Sequence, residues 1–159
     1  MRTQLVYRWF VVSGVCATLV GIGSLAAQAQ GDRLENSPRH HEWVDVDAGN
    51  GRKIHTFVAF PEVSGPATTV IVIHENKGLT DWVRSVADQL AEAGYVALAP
   101  DLLSGTGPDG GNTDSFPSQD AATQGIYKLS ADQVMTDLDA VAAYAKSLEA
   151  SNKKIAVVR

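Results

Sequence analysis

The chain has 159 residues, of which 45% are hydrophobic and 19% are charged, with 14 glycines and 6 prolines. This length suits one globular domain, and the composition excludes a disordered or fibrous protein. The formal net charge is −5 and no basic run occurs, which argues against nucleic acid or an anionic lipid surface as the partner. A single cysteine, Cys16, excludes a disulfide scaffold.

The first 29 residues have the layout of a secretory signal peptide. Arg2 and Arg8 precede an apolar run over residues 9–27, and a small-x-small site closes on Ala29. We therefore predict an exported protein, periplasmic or secreted, that is cleaved near Ala29 and continues as a flexible leader over residues 30–41. The alternative is an uncleaved membrane anchor, because the apolar run is just long enough to span a bilayer. Cleavage would leave 130 residues with 11 basic and 18 acidic side chains and no cysteine.

The domain over residues 42–159 begins with two short extended stretches. Residues 42–47 alternate apolar and polar side chains, as a half-buried strand does, and residues 53–60 form a second such stretch. Gly49-Asn50-Gly51 between them is a turn signal. This arrangement predicts an antiparallel hairpin.

A strand–helix–strand unit follows the hairpin. Thr69–His74 is a continuous β-branched run, typical of a parallel strand that is buried on both faces. The apolar spacing predicts a helix that begins at Thr80 or Asp81 and stops before Gly94. Residues 95–99 form the next buried strand. The unit predicts an α/β fold with a right-handed crossover.

The remaining sequence contains a long loop, a helix and a final strand. Residues 104–120 lack periodicity, and a loop of this length is usually functional or mobile. A helix capped by Ser130 carries an apolar stripe as far as Leu148, and residues 155–158 form a third buried strand. A strand buried on both faces needs further cover, so we expect the complete protein to continue beyond Arg159. The alternative is that this stretch is a short edge strand under the preceding helix.

Polar residues follow the first two parallel strands, at the edge of the sheet where ligands bind in open α/β folds. Glu75 either serves the function of the site, bonds local backbone amides or pairs with Lys77. Asp101 either faces the same crevice or, as we favour, bonds the backbone two residues on. We expect His74 to satisfy a nearby carbonyl and Gly78 to allow a tight turn.

Other candidate sites are weaker. His40 and His41 lack a third metal ligand, and Asp137 and Asp139 do not share a helix face. Residues 105–110 match G-x-G-x-x-G but do not open a helix after a first strand, so we predict no nucleotide there. No Gly-x-Ser-x-Gly occurs. We expect neither a metal nor an organic cofactor.

The stretches VIVIHENKGL, residues 70–79, and VRSVADQLAEAGYVALAPDL, residues 83–102, resemble the dienelactone hydrolase family of α/β-hydrolases, also called carboxymethylenebutenolidases. The resemblance runs from about Trp43 to Arg159. It implies an α/β-hydrolase-type sheet and hydrolysis of a small-molecule ester or lactone through an acyl-enzyme intermediate. It also implies a Cys-His-Asp triad whose cysteine follows the fifth strand, so we expect the triad beyond Arg159 and this chain to be inactive.

The resemblance assigns roles to two residues of this chain. Glu75 matches the family's active-site glutamate, which contacts the nucleophile and influences its ionisation. Asn76 matches the position whose backbone N–H helps to form the oxyanion hole. The loop after Asp101 contains no arginine, which argues against dienelactone itself as substrate. Alternative interpretations are a non-catalytic binding module or decayed fragment, and a hydrolase of peptides or thioesters.

Overall fold

The structure, a computed structural model, describes residue 31, residues 33–49 and residues 51–159. The predicted signal peptide and its cleavage site lie outside these residues. The elements in chain order are β1 (His41–Gly49), β2 (Arg52–Ala59), β3 (Ala67–Val72), α1 (Asp81–Glu92), β4 (Val96–Pro100), α2 (Gln119–Ile126), α3 (Ala131–Ser147) and β5 (Ser151–Val158). None of the helices in the described ranges is long and apolar enough to cross a membrane.

The five strands form one mixed sheet in the order β1-β2-β4-β3-β5. β1 pairs with β2 and β2 with β4 in antiparallel fashion, whereas β3 is parallel to both β4 and β5. The predicted hairpin and the α/β class are therefore confirmed. Because β3 and β4 point the same way, the residues that follow them meet at one edge of the sheet.

The two faces of the sheet are covered by different helices. α1 packs its predicted stripe on one face, where Val83, Ala87 and Ala91 are buried. α3 covers the other face and buries Val141 and Ala145 against the strands. The apolar spacing along each helix thus predicted the surface that the helix buries.

The segment between β4 and α3 differs from the predicted loop. α2 begins at Gln119, inside the predicted loop, and the side chain of Ser118 caps it by accepting a hydrogen bond from the Ala121 N–H at 3.2 Å. Two turns of 3₁₀ helix, Pro108–Gly110 and Thr113–Ser115, lie upstream. No helical period is visible in this stretch, because Ala122 is the one residue that α2 buries.

The prediction that residues 155–158 are buried on both faces is wrong. Val157 is 58% exposed and Val158 is 37% exposed, although both lie in β5. The physical reason is position, since β5 lies at the edge of the sheet and pairs only with β3 among the described residues. Composition alone does not distinguish a central strand from an edge strand.

Part of the predicted flexible leader contacts helix α1. The Arg39 guanidinium donates two hydrogen bonds to the carboxylate of Asp88, at 2.8 and 2.7 Å. Ser37 and His41 also bond the same carboxylate, which is fully buried. The segment that precedes β1 is thereby bonded to helix α1, a contact that the prediction of a flexible leader did not include.

Candidate active site

Glu75 lies where the sequence placed it, at the carboxyl edge of the sheet. It follows the end of β3 by three residues, and it is exposed. Three adjoining cavities, of about 290, 530 and 550 Å³, all include Glu75 in their walls. Glu75 therefore borders three cavities at the carboxyl edge of the sheet, which is the default place for a ligand in such a fold.

The Glu75 side chain is not engaged in a local structural role. Within the described ranges it forms no ion pair with Lys77, and no backbone amide donates to its carboxylate. Both local alternatives for Glu75 are thus absent from this part of the structure. An exposed carboxylate without a protein partner is open to a ligand or to another side chain.

The backbone N–H of Asn76 has the property that an oxyanion donor needs. No carbonyl or side chain among the described residues accepts a hydrogen bond from it. The flanking turn is closed instead by Gly78, whose N–H donates to the Glu75 carbonyl at 3.3 Å. The amide of Asn76, the residue after Glu75, is consequently available to an incoming oxygen.

His74 is a structural residue, as expected, and its tautomer follows from its partners. The Leu102 N–H donates to Nε2 at 3.1 Å, so the ring proton resides on Nδ1, which donates to the Glu75 carbonyl at 2.8 Å. Burial lowers the pKa of His74 and outweighs the opposing effect of the carbonyl bond. The neutral ring therefore links the loop after β4 to the turn that carries Glu75.

Asp101 also has the role that we favoured from sequence. Its Oδ1 accepts a hydrogen bond from the N–H of Leu103, two residues on, at 2.9 Å. The side chain is buried, and both its oxygens bond loop atoms. Asp101 accordingly shapes the loop behind the site and does not face the cavities that Glu75 lines.

Two aromatic residues near Glu75 were missed by sequence reasoning. Tyr127, which is 74% exposed, shares the 530 Å³ cavity with Glu75, and Trp82, which is 57% exposed, lines the other two. Tyr127 follows the unpredicted helix α2, so no sequence signal placed it at the site. Trp82 could have been found, since it lies in the first turn of a predicted helix that starts at the sheet edge.

The remaining candidates from the sequence lie in structural contacts. His40 bonds Glu42 and His41 bonds Asp88, at 2.6 and 2.9 Å. Asp137 forms a buried pair with Arg52. No group of three metal-ligating side chains occurs in the described part of the chain.

Known proteins resemble this chain in sequence. The profile of the "Dienelactone hydrolase family" matches residues 54–158. The "Putative hydrolase fragment YghX" of Escherichia coli K12 is 40% identical over 75 residues, which are 46% of this chain and 64% of that protein. The "Putative carboxymethylenebutenolidase" of Methylorubrum extorquens AM1 is 36% identical over 93 residues, which are 58% of this chain and 31% of that protein.

A solved structure shows the same fold. A dienelactone hydrolase-like promiscuous phosphotriesterase from metagenomic libraries is 25% identical, with a TM-score of 0.59 over 75% of this chain and 48% of that chain. This chain therefore spans less than two thirds of each of the three proteins. Because the family profile matches well over half of the 159 residues, the chain belongs to the dienelactone hydrolase family of hydrolases, which have the α/β-hydrolase fold.

Proposed function

We propose that the complete protein hydrolyses esters or lactones through an acyl-enzyme intermediate, and that residues 1–159 contribute the glutamate and one oxyanion donor. The observation that carries this proposal is that the exposed Glu75 is followed directly by Asn76, whose N–H has no acceptor among the described residues. Both lie at the edge of the sheet where three cavities meet. The nucleophile, histidine and acid of the triad belong, in this proposal, to residues beyond Arg159.

The chemistry assigns each group a defined task. The nucleophile attacks the ester carbonyl carbon, and the electron pair of the C=O bond moves to oxygen, where the Asn76 N–H donates to the oxyanion. Collapse of this intermediate expels the alcohol, and water then hydrolyses the acyl-enzyme. Glu75 contacts the nucleophile and influences its protonation. One well-placed oxyanion donor increases kcat of such reactions by a factor of roughly 10²–10³.

The walls of the site favour a substrate with an apolar part. Apolar side chains form one side of the 530 Å³ cavity: Ile73, Leu102, Ile126, Leu129, Val134 and Leu138. Residues 102–130 contain no arginine that could hold a substrate carboxylate. An ester or lactone with an apolar acyl or alcohol group therefore suits this cavity, whose wall also includes Arg159.

The Glu75→Gln variant of the complete protein tests this function. With 4-nitrophenyl acetate we expect kcat/KM to fall by about 10²-fold, because an amide cannot exchange a proton with the nucleophile as a carboxylate does. Glu62→Gln makes the same chemical change in the exposed segment between β2 and β3, at the opposite end of these strands, and should leave kcat/KM unchanged. Equal activity of Glu75→Gln and wild type would exclude the proposed role of Glu75, and absence of hydrolysis in wild type would favour a binding module.

A further inference from the structure

Thr113 joins the long loop after β4 to the turn that carries Glu75. It opens the short 3₁₀ turn Thr113–Ser115, yet its hydroxyl Oγ1 accepts a hydrogen bond from the Leu79 N–H at 3.0 Å. Leu79 ends the turn that begins at Glu75, and it is buried. A single hydroxyl therefore fixes the far end of the candidate site's turn to a loop 34 residues away.

Asp101 determines the direction of the Thr113 bonds. Its Oδ2 accepts from the Thr113 N–H at 2.9 Å, and its Oδ1 accepts from the Thr113 hydroxyl at 2.8 Å. An ionised carboxylate only accepts, so the hydroxyl proton must point to Asp101. The oxygen lone pairs of Thr113 are then free to accept from Leu79, and the rotamer of Thr113 is held at two atoms.

Gly78 allows the loop to reach the turn. Its backbone has a φ of +77°, which strains any other residue, and a Cβ built on it would overlap both Oγ1 and Cγ2 of Thr113. The Thr113 side chain therefore packs directly on the bare backbone of the turn. Gly78 therefore combines a left-handed backbone with close contact to Thr113, so the loop after β4 packs tightly against the Glu75–Leu79 turn.

The Glu75–Leu79 turn is thus held at both ends. At its start the neutral His74 ring donates to the Glu75 carbonyl, and at its end Thr113 accepts from Leu79. Between these anchors the Asn76 N–H has no acceptor in the described residues. Thr113 and Glu75 also line the same 550 Å³ cavity, so a shift of the loop changes the surroundings of the carboxylate directly.

We propose that Thr113 is a positioning residue of the active site, whose hydroxyl fixes the Glu75–Leu79 turn and thereby the direction of the Asn76 N–H and the Glu75 carboxylate. This proposal rests on the proposed hydrolase function for its catalytic consequence. Its structural consequence, protection of the Leu79 amide, does not depend on any reaction.

Thr113→Val, Thr113→Ser and the control Thr136→Val in the complete protein separate these consequences. Thr113→Val keeps the shape of the side chain and removes the hydroxyl, and Thr113→Ser keeps the hydroxyl. Thr136→Val removes a hydroxyl that bonds the Asp132 carbonyl on the exposed side of α3. Amide hydrogen exchange by NMR reports on Leu79, and hydrolysis of 4-nitrophenyl acetate gives kcat and KM.

In Thr113→Val we expect the Leu79 amide hydrogen to exchange about tenfold faster, a factor that corresponds to the free energy of one lost hydrogen bond. We also expect this variant to lower kcat more than KM. Thr113→Ser and Thr136→Val should match wild type in both readouts. Unchanged Leu79 exchange in Thr113→Val overturns the proposal, and so does faster exchange with unchanged kcat. If wild type hydrolyses nothing, the proposed function fails, whereas the exchange result still decides whether Thr113 holds the turn.

Discussion

The Asp88→Ala variant should lose about 3 kcal/mol of unfolding free energy, a loss typical of breaking a buried ion pair by removing one partner. The Asp88 carboxylate is fully buried, and Arg39, Ser37 and His41 all bond it. Its removal leaves the Arg39 guanidinium, whose side chain is only 11% exposed, without its main partner. Urea unfolding measures the loss of unfolding free energy in the Asp88→Ala variant. The control is Asp139→Asn, an exposed substitution on α3, whose unfolding free energy should stay within about 0.5 kcal/mol of wild type.

The same carboxylate gives the protein a defined acid sensitivity. Burial alone would raise the pKa of Asp88, but the hydrogen bonds from Arg39, Ser37 and His41 outweigh burial and hold the pKa well below its ordinary value. A depressed folded-state pKa stabilises the fold fully above the unfolded pKa of about 3.9, and the contribution is lost as the pH falls toward the folded value. The stability gap between wild type and Asp88→Asn should therefore shrink from about pH 5 to about pH 3. A gap that stays constant or widens over this range would contradict the assignment.

Asp137→Leu should destabilise the fold by about 3–4 kcal/mol, for a related reason. Nε and Nη2 of Arg52 donate to the two oxygens of Asp137, each at 2.8 Å, and Asp137 is buried. Leucine leaves the guanidinium against an apolar side chain. The contact joins β2, on the hairpin, to helix α3 across 85 residues of sequence.

The double variant Arg52→Met with Asp137→Leu tests whether the unpaired charge causes this loss. Replacing both partners removes the charge, so the double variant should recover part of the stability lost in Asp137→Leu. Recovery is incomplete because Arg52 also donates to the carbonyls of Ser104 and Leu102. Chemical unfolding of both variants gives the comparison, and a double variant less stable than the single one would refute this explanation.

The features that sequence predicted correctly are local. Hydrophobic spacing predicted α1, α3 and the hairpin, because each pattern reports which side of an element is buried. The hydrogen bond from the Leu103 N–H to the Asp101 side chain spans only two residues, so it could be predicted from the presence of an aspartate alone. The position of Glu75 followed from the end of a buried strand and from the family resemblance.

The features that sequence missed depend on distant partners. Arg39 and Asp88 are 49 residues apart, and no local pattern distinguishes Asp88 from a solvated helix residue. Thr113 meets Leu79 only because the loop folds back over the carboxyl edge of the sheet. Tyr127 reaches the site through α2, whose sequence has too few buried positions to show a helical period.

Intact-mass spectrometry after mixing with 4-nitrophenyl acetate tests the central claim most directly. The complete protein should gain one acetyl group on a single residue beyond Arg159 and should release it on standing, as an acyl-enzyme does. Residues 30–159 alone, matched with their Glu75→Gln variant, should show neither a specific adduct nor catalytic release of nitrophenol. Turnover by residues 30–159 above that of the Glu75→Gln variant would contradict the proposed division of the site between these residues and residues beyond Arg159.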